Sequence, residues 1–211
     1  ETTLFPSRVE KTTVRQAIGQ ANFWWLSLAF ALVSFVSAAI SVHLVSYLTE
    51  RGFAPESASL SVSLIGGSQI IGRLFLTPLG ARISQRILTA AMFGMGGIAL
   101  LILVSQSSGP SVLIFAVLLG TGYGASAPAR AALVADLFGI AGYAEINGVM
   151  AFILTLARAA GPTGAGIVLT YSHSYTLVFE LLLVLAFGGV LTALLLKTPR
   201  HSQKQKRNDL S

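Results

Sequence analysis

The 211-residue sequence contains no cysteine, which excludes a disulfide framework and any thiol chemistry. Charge is nearly as scarce: 10% of residues are Asp, Glu, Lys or Arg, against about 25% in ordinary soluble domains. The three histidines stand far apart and offer no metal-ligand spacing, and no nucleophile sits beside a base. Nothing therefore supports an enzyme, a bound metal or a cofactor. Paired aspartates within the apolar runs and the paired Asn-Pro-Ala boxes of water channels are missing as well. What is abundant is apolar: 54% of residues are hydrophobic and the mean hydropathy is +0.75, the composition of a membrane protein. The net charge of +6 is no sign of a nucleic-acid partner, because the basic residues gather at the chain ends and in one short loop. The chain opens on Glu1 with no cleavable leader, which reads as an internal piece of a longer chain.

Six apolar runs are long enough to cross a bilayer: about 22–48, 57–79, 87–105, 111–137, 144–171 and 175–196. The expected architecture is an all-α, multi-pass membrane domain over residues 21–196. It is preceded by a polar lead-in, residues 1–20, helical in part from Lys11, and followed by a basic, disordered tail, residues 197–211. Six spans put both termini on one side. That side collects Arg8, Lys11, Arg15, Arg73, Arg82, Arg86, Arg130 and the basic residues of the tail, while the other holds Arg51 alone. By the positive-inside rule both termini are cytoplasmic.

One charge breaks the pattern. Arg158 lies in the middle of a long apolar run, with Glu145 the nearest charge before it and Glu180 the next after it. At about 1.5 Å of rise per residue this places the guanidinium near the bilayer midplane, beyond the reach of snorkelling. Such an arginine costs about 2.5–3.5 kcal/mol on insertion scales, so it needs a compensating group. Pro162, four residues on, has no N–H and leaves the Arg158 carbonyl without its helical donor. Arg158 shares a helical face with Thr155 and Asn147. Two readings follow. Arg158 anchors a small anionic substrate through its forked donors, or it forms a structural pair with an acid on another helix.

The remaining candidates are softer. Gly120 and Gly124 have the small-xxx-small spacing of close helix packing, and with Pro128 they make the fourth span loose. Gly161 and Pro162 do the same in the fifth, so both spans are expected to bend near their prolines. Tyr123, Ser126 and Arg130 fall on one face at offsets of three and seven, which makes Tyr123 a cavity candidate and Arg130 a snorkelling anchor or gate residue. His43, near the outer end of the first span, is either a bound neutral ring or a carrier of a coupling proton. Gln69 and Arg73 suggest a polar lining that runs to the loop after the second span.

Several stretches resemble one family. The run GRLFLTPLGAR, residues 72–82, with Gly72, Arg73, Pro78 and Arg82, is similar to the loop signature of major facilitator superfamily transporters. The runs TVRQAIGQANFWWLSLAF, HLVSYLTERGFAPESA, LLGTGYGASAPARAALVADLFG and ARAAGPTGAGIVLTYSHSY resemble, in order, the central loop and seventh helix, an external turn, and the tenth and eleventh helices of bacterial monocarboxylate or oxalate/formate-type members. One departure is Ala81, where the signature carries an acidic residue. The resemblance implies the C-terminal six-helix half of a twelve-helix transporter, helices seven to twelve, in a bacterial inner membrane. It implies a missing N-terminal half as partner, lipid around the outside, and alternating-access transport of a small organic anion such as a monocarboxylate, by symport or antiport. It also implies that spans one, two, four and five line the cavity. The alternatives are a drug or sugar-type exporter with Arg158 structural, and a six-span oligomeric channel or scaffold.

Overall fold

The computed structural model describes residues 12–80, 82–106 and 108–197. The basic tail beyond Lys197, the first eleven residues and Ala81 lie outside the described residues. The described chain is all-helical: α1 Val14–Ile18, α2 Ala21–Glu50, α3 Pro55–Leu79, α4 Gln85–Ser105, α5 Gly109–Gly124, α6 Ser126–Phe138, α7 Tyr143–Ser172 and α8 Tyr175–Leu194. Helices α5 and α6 together make one span, Gly109–Phe138, so six spans are long and apolar enough to cross a membrane.

The breaks between them follow from local chemistry. Gly52 takes φ 88°, a left-handed value that suits glycine, and Pro55 then occupies the first turn of α3, where its missing N–H does no harm. Ser108 caps α5 in a reciprocal box with Ser111. Ser174 accepts from the Leu177 amide at 3.4 Å to start α8. In the lead-in, Thr13 and Gln16 form a capping box that starts α1.

In the bundle α5 lies between α3 and α4, α8 between α4 and α2, and α7 packs along α2. Aromatic side chains join these layers. Phe30 of α2 meets Phe93 of α4 edge-on at 5.1 Å, and Tyr47 of α2 stacks on Phe179 of α8 at 4.0 Å. The Tyr47 hydroxyl donates to the Leu103 carbonyl at 3.4 Å, and Arg51 lies over the Tyr47 ring at 4.9 Å.

At the far end of the bundle the Asn22 amide donates to the Lys197 carbonyl at 2.8 Å and accepts from the Lys197 amide at 3.1 Å. Arg86 donates to the Leu194 carbonyl at the same end. The start of the first span and the end of the sixth are therefore neighbours, which puts them at the same end of the bundle, as an even number of spans requires.

Two helices are held by narrow stripes. The buried residues of α7 are Ile146, Met150, Leu154, Gly161 and Ala165; those of α3 are Ala58, Ser61, Ser68 and Gly72. Each set has helical spacing and marks one face. The rest of both circumferences is open in this six-span unit.

Candidate functional site

Helix α7 has two kinds of open surface. One flank of the buried stripe carries Asn147, Gly148, Ala151, Thr155, Arg158 and Pro162, small or polar at helical spacing. The other carries Phe152, Leu156 and Ile167, each more than half exposed. A large apolar flank suits lipid; a small, polar one suits water or another protein surface.

Arg158 lies fifteen residues from the first residue of α7 and fourteen from the last, at the centre of the span. Its side chain is exposed, and among the described residues no acceptor pairs with it. No acid on a neighbouring helix of this unit takes up the structural pairing. Thr155, one turn away, donates its hydroxyl back to the Ala151 carbonyl at 2.8 Å, so its oxygen can still accept a further bond. Asn147 is partly buried and its Oδ1 has no hydrogen-bond partner among the described residues.

Pro162 does not break the helix. Helix α7 runs through it from Tyr143 to Ser172. The reason is support from α2. A Cβ on Gly161 would sit 2.5 Å from the Phe35 carbonyl oxygen, so the two backbones are in direct contact next to the proline. In addition, His43 Nε2 lies 3.1 Å from the Pro162 carbonyl. A carbonyl only accepts, so Nε2 carries the proton in this bond. His43 thus ties the first span to the fifth about one helical turn from Arg158. Its ring also lies 6.0 Å from that of Tyr175.

Tyr123 is elsewhere. It is buried on the α4 side of α5, where its ring fills the notch left by Gly96, and its hydroxyl has no hydrogen-bond partner among the described residues. The structure parts it from the Arg158 flank. Across the interruption at Ala125 the Ser126 hydroxyl donates to the Tyr123 carbonyl at 2.7 Å, so these two stay one turn apart. Arg130 sits centrally on the buried face of α6 with its Nε unpaired among the described residues.

The fourth span does open near Pro128. Helix α5 stops at Gly124 and α6 starts at Ser126. Gly120 and Gly124 face α3 so closely that a Cβ on either would overlap the carbonyl of Ile65 or Gln69; Gly72 of α3 meets the Thr121 carbonyl in the same way. Of the loop motif, Gly72, Arg73 and Pro78 lie on α3 itself, Pro78 in its last turn, and Arg82 follows in the turn. Arg73 donates through Nε to the Gly124 carbonyl at 3.4 Å. Half of that contact is readable in the sequence: Pro128 stands four residues after Gly124 and strips its carbonyl of a donor, though nothing local names Arg73 as the partner.

A model of the Major Facilitator Superfamily matches residues 9–210. No curated protein matches the sequence. Among solved structures, a variant of the E. coli fucose:proton symporter FucP is similar in fold, with a TM-score of 0.70 at 16% identity. The match covers 92% of this chain and 48% of that one, so the chain spans about half the length of the symporter.

Proposed function

The chain belongs to the major facilitator superfamily, and from that premise we propose that it serves secondary transport of a small organic anion such as a monocarboxylate. The observation that carries this reading is Arg158: a guanidinium at the centre of a span, exposed, without an acceptor among the described residues, on the small and polar flank of α7. Turned to lipid it would cost about 2.5–3.5 kcal/mol or more. Turned to a water-filled cavity it offers a forked donor set matched to a carboxylate.

In this reading the unit is the C-terminal half of the transporter. The open faces of α3 and α7 meet a cavity shared with an N-terminal six-helix half, and the halves rock about a midplane site in a bacterial inner membrane with both termini cytoplasmic. Arg158 holds the carboxylate and Thr155 accepts a bond from the substrate or its water. Asn147, three turns towards the start of α7, lines the path. His43, bonded through Nε2 to the Pro162 carbonyl, keeps Nδ1 for a coupling proton. Tyr123 has no part in the site.

The test measures membrane level and anion affinity together. Arg158→Ala removes a charge that is costly in the bilayer, so it inserts and folds, and anion affinity falls about tenfold to a hundredfold, the worth of a charge-assisted hydrogen bond. Arg158→Lys keeps the charge, loses the fork and retains part of the transport. Normal anion affinity in Arg158→Ala would end the anchor reading.

A further inference from the structure

Among the described residues the fourth span is the interrupted one, and a side chain from another span sits on the interruption. Ala125 has φ −94° and ψ 5°, outside the helical range, between the last residue of α5 and the first of α6. The Gly124 carbonyl has no helical donor because residue 128 is proline. A bare carbonyl inside a membrane span is costly and must find a partner. Here that partner is Arg73 of α3, whose Nε donates to it at 3.4 Å.

The two sides of the break are held differently. On the α5 side, Gly120, Gly124 and Gly72 bring α5 and α3 into backbone contact, so that segment cannot slide without separating two helices. On the α6 side the helix leaves α3 and lies against α4 and α7. Against the α6 side of the break is a cavity of about 50 Å³, lined by Leu76 of α3, Leu88 and Met92 of α4 and, on the α6 side, Ala125, Ala129 and Ala132. A close-packed interior resists rotation of a helix; a void against one of its faces removes that resistance. On the α6 side the void is bordered by the small side chains of Ala125, Ala129 and Ala132, so α6 presents no bulky group of its own to the wall it would approach.

We propose that Arg73 is the clasp of a hinge at Ala125. While Nε holds the Gly124 carbonyl, α6 keeps the orientation seen here; when the bond opens, α6 pivots into the cavity. Because α6 packs on α7, the pivot is felt by the helix that carries Arg158. Arg73 is a positioning residue in this scheme and touches no substrate. It therefore stands apart from the anchor role of Arg158, and its test needs no substrate.

The test is a double-mutant cycle in the full-length protein. Ala132→Cys, added to a full-length protein in which any cysteine outside these 211 residues has been replaced, reports by its rate of reaction with a membrane-permeant maleimide. The backgrounds are the parent, Arg73→Leu, Pro128→Ala and the double variant. Alanine at 128 restores an N–H four residues after Gly124 and gives the carbonyl a helical donor. Arg73→Leu is expected to change the labelling rate about tenfold with proline at 128, the scale of one charge-assisted hydrogen bond. With alanine at 128 the same substitution should change it less than about twofold. An equal effect in both backgrounds, or none in either, overturns the clasp. Should Arg73→Leu fail to assemble, Arg73→Lys replaces it in the same cycle: it keeps the charge but lacks the Nε donor, and the same two outcomes decide.

Discussion

Gly161→Ala tests the seam on which the candidate site rests. The added Cβ would lie 2.5 Å from the Phe35 carbonyl oxygen and 3.2 Å from the Ala38 Cβ. The oxygen belongs to helix backbone and cannot rotate away, so α7 and α2 must separate by roughly 0.9 Å to reach an ordinary contact of 3.4 Å. Such overpacking costs about 1–3 kcal/mol. The same displacement would stretch the bond from His43 to Pro162 from 3.1 Å to about 4 Å, beyond hydrogen-bond range, with a further loss of about 1 kcal/mol. Against this, alanine gains about 1 kcal/mol over glycine in a helix interior. The net expectation is destabilisation by about 1–3 kcal/mol. Gly166→Ala is the internal control, since nothing lies within 4 Å of its Cβ position and only the helix gain remains. The two variants should differ by about 2–4 kcal/mol in opposite directions from the parent, read as thermal unfolding midpoints of purified protein in one detergent. Equal midpoints, or a Gly161→Ala protein more stable than Gly166→Ala, would refute the close approach of α2 and α7.

Two further predictions use other parts of the bundle. Cysteines introduced singly at Ser84 and Ser108 should react with an impermeant reagent from opposite sides of the membrane; reaction of both from the same side would contradict six spans. Tyr47 stacks on Phe179 at 4.0 Å and donates to Leu103 at 3.4 Å. Tyr47→Phe should therefore cost about 1 kcal/mol or less, and Tyr47→Ala about 3–5 kcal/mol, in the same unfolding assay. A Tyr47→Ala midpoint matching that of Tyr47→Phe would show that the hydroxyl and not the ring carries the contact.

The six spans were legible because each is an apolar run closed by strong punctuation. The expected start at 57 became Pro55 and the expected start at 87 became Gln85, since proline and a polar residue are tolerated in a first helical turn. Arg158 was legible for the same reason: one charge in an apolar run stands out without a structure. What was not legible depends on packing between distant residues. That α7 continues through Pro162 depends on α2, which supports it there through Gly161 and His43. Tyr123 reads as a cavity residue from its polar neighbours on the fourth span, yet its ring is taken up by α4. The notch that receives its ring, Gly96, is visible in the sequence only as one of several glycines on the third span. The pairing of Arg73 with Gly124 joins residues 51 apart, and no local pattern specifies it.

The place of α8 has a consequence for how the protein is made. It is the last of the six helices to leave the ribosome, yet it belongs between α4 and α2, where Val178, Phe179, Leu182 and Ala186 are buried. Five helices are therefore already in the bilayer before the unit can close, with acyl chains filling the slot between the first and the third. Arrival of α8 must expel those lipids and dock Phe179 on Tyr47 before Lys197 can find Asn22. Translation halted after α7 would leave a nascent protein with an unsealed flank inside the membrane.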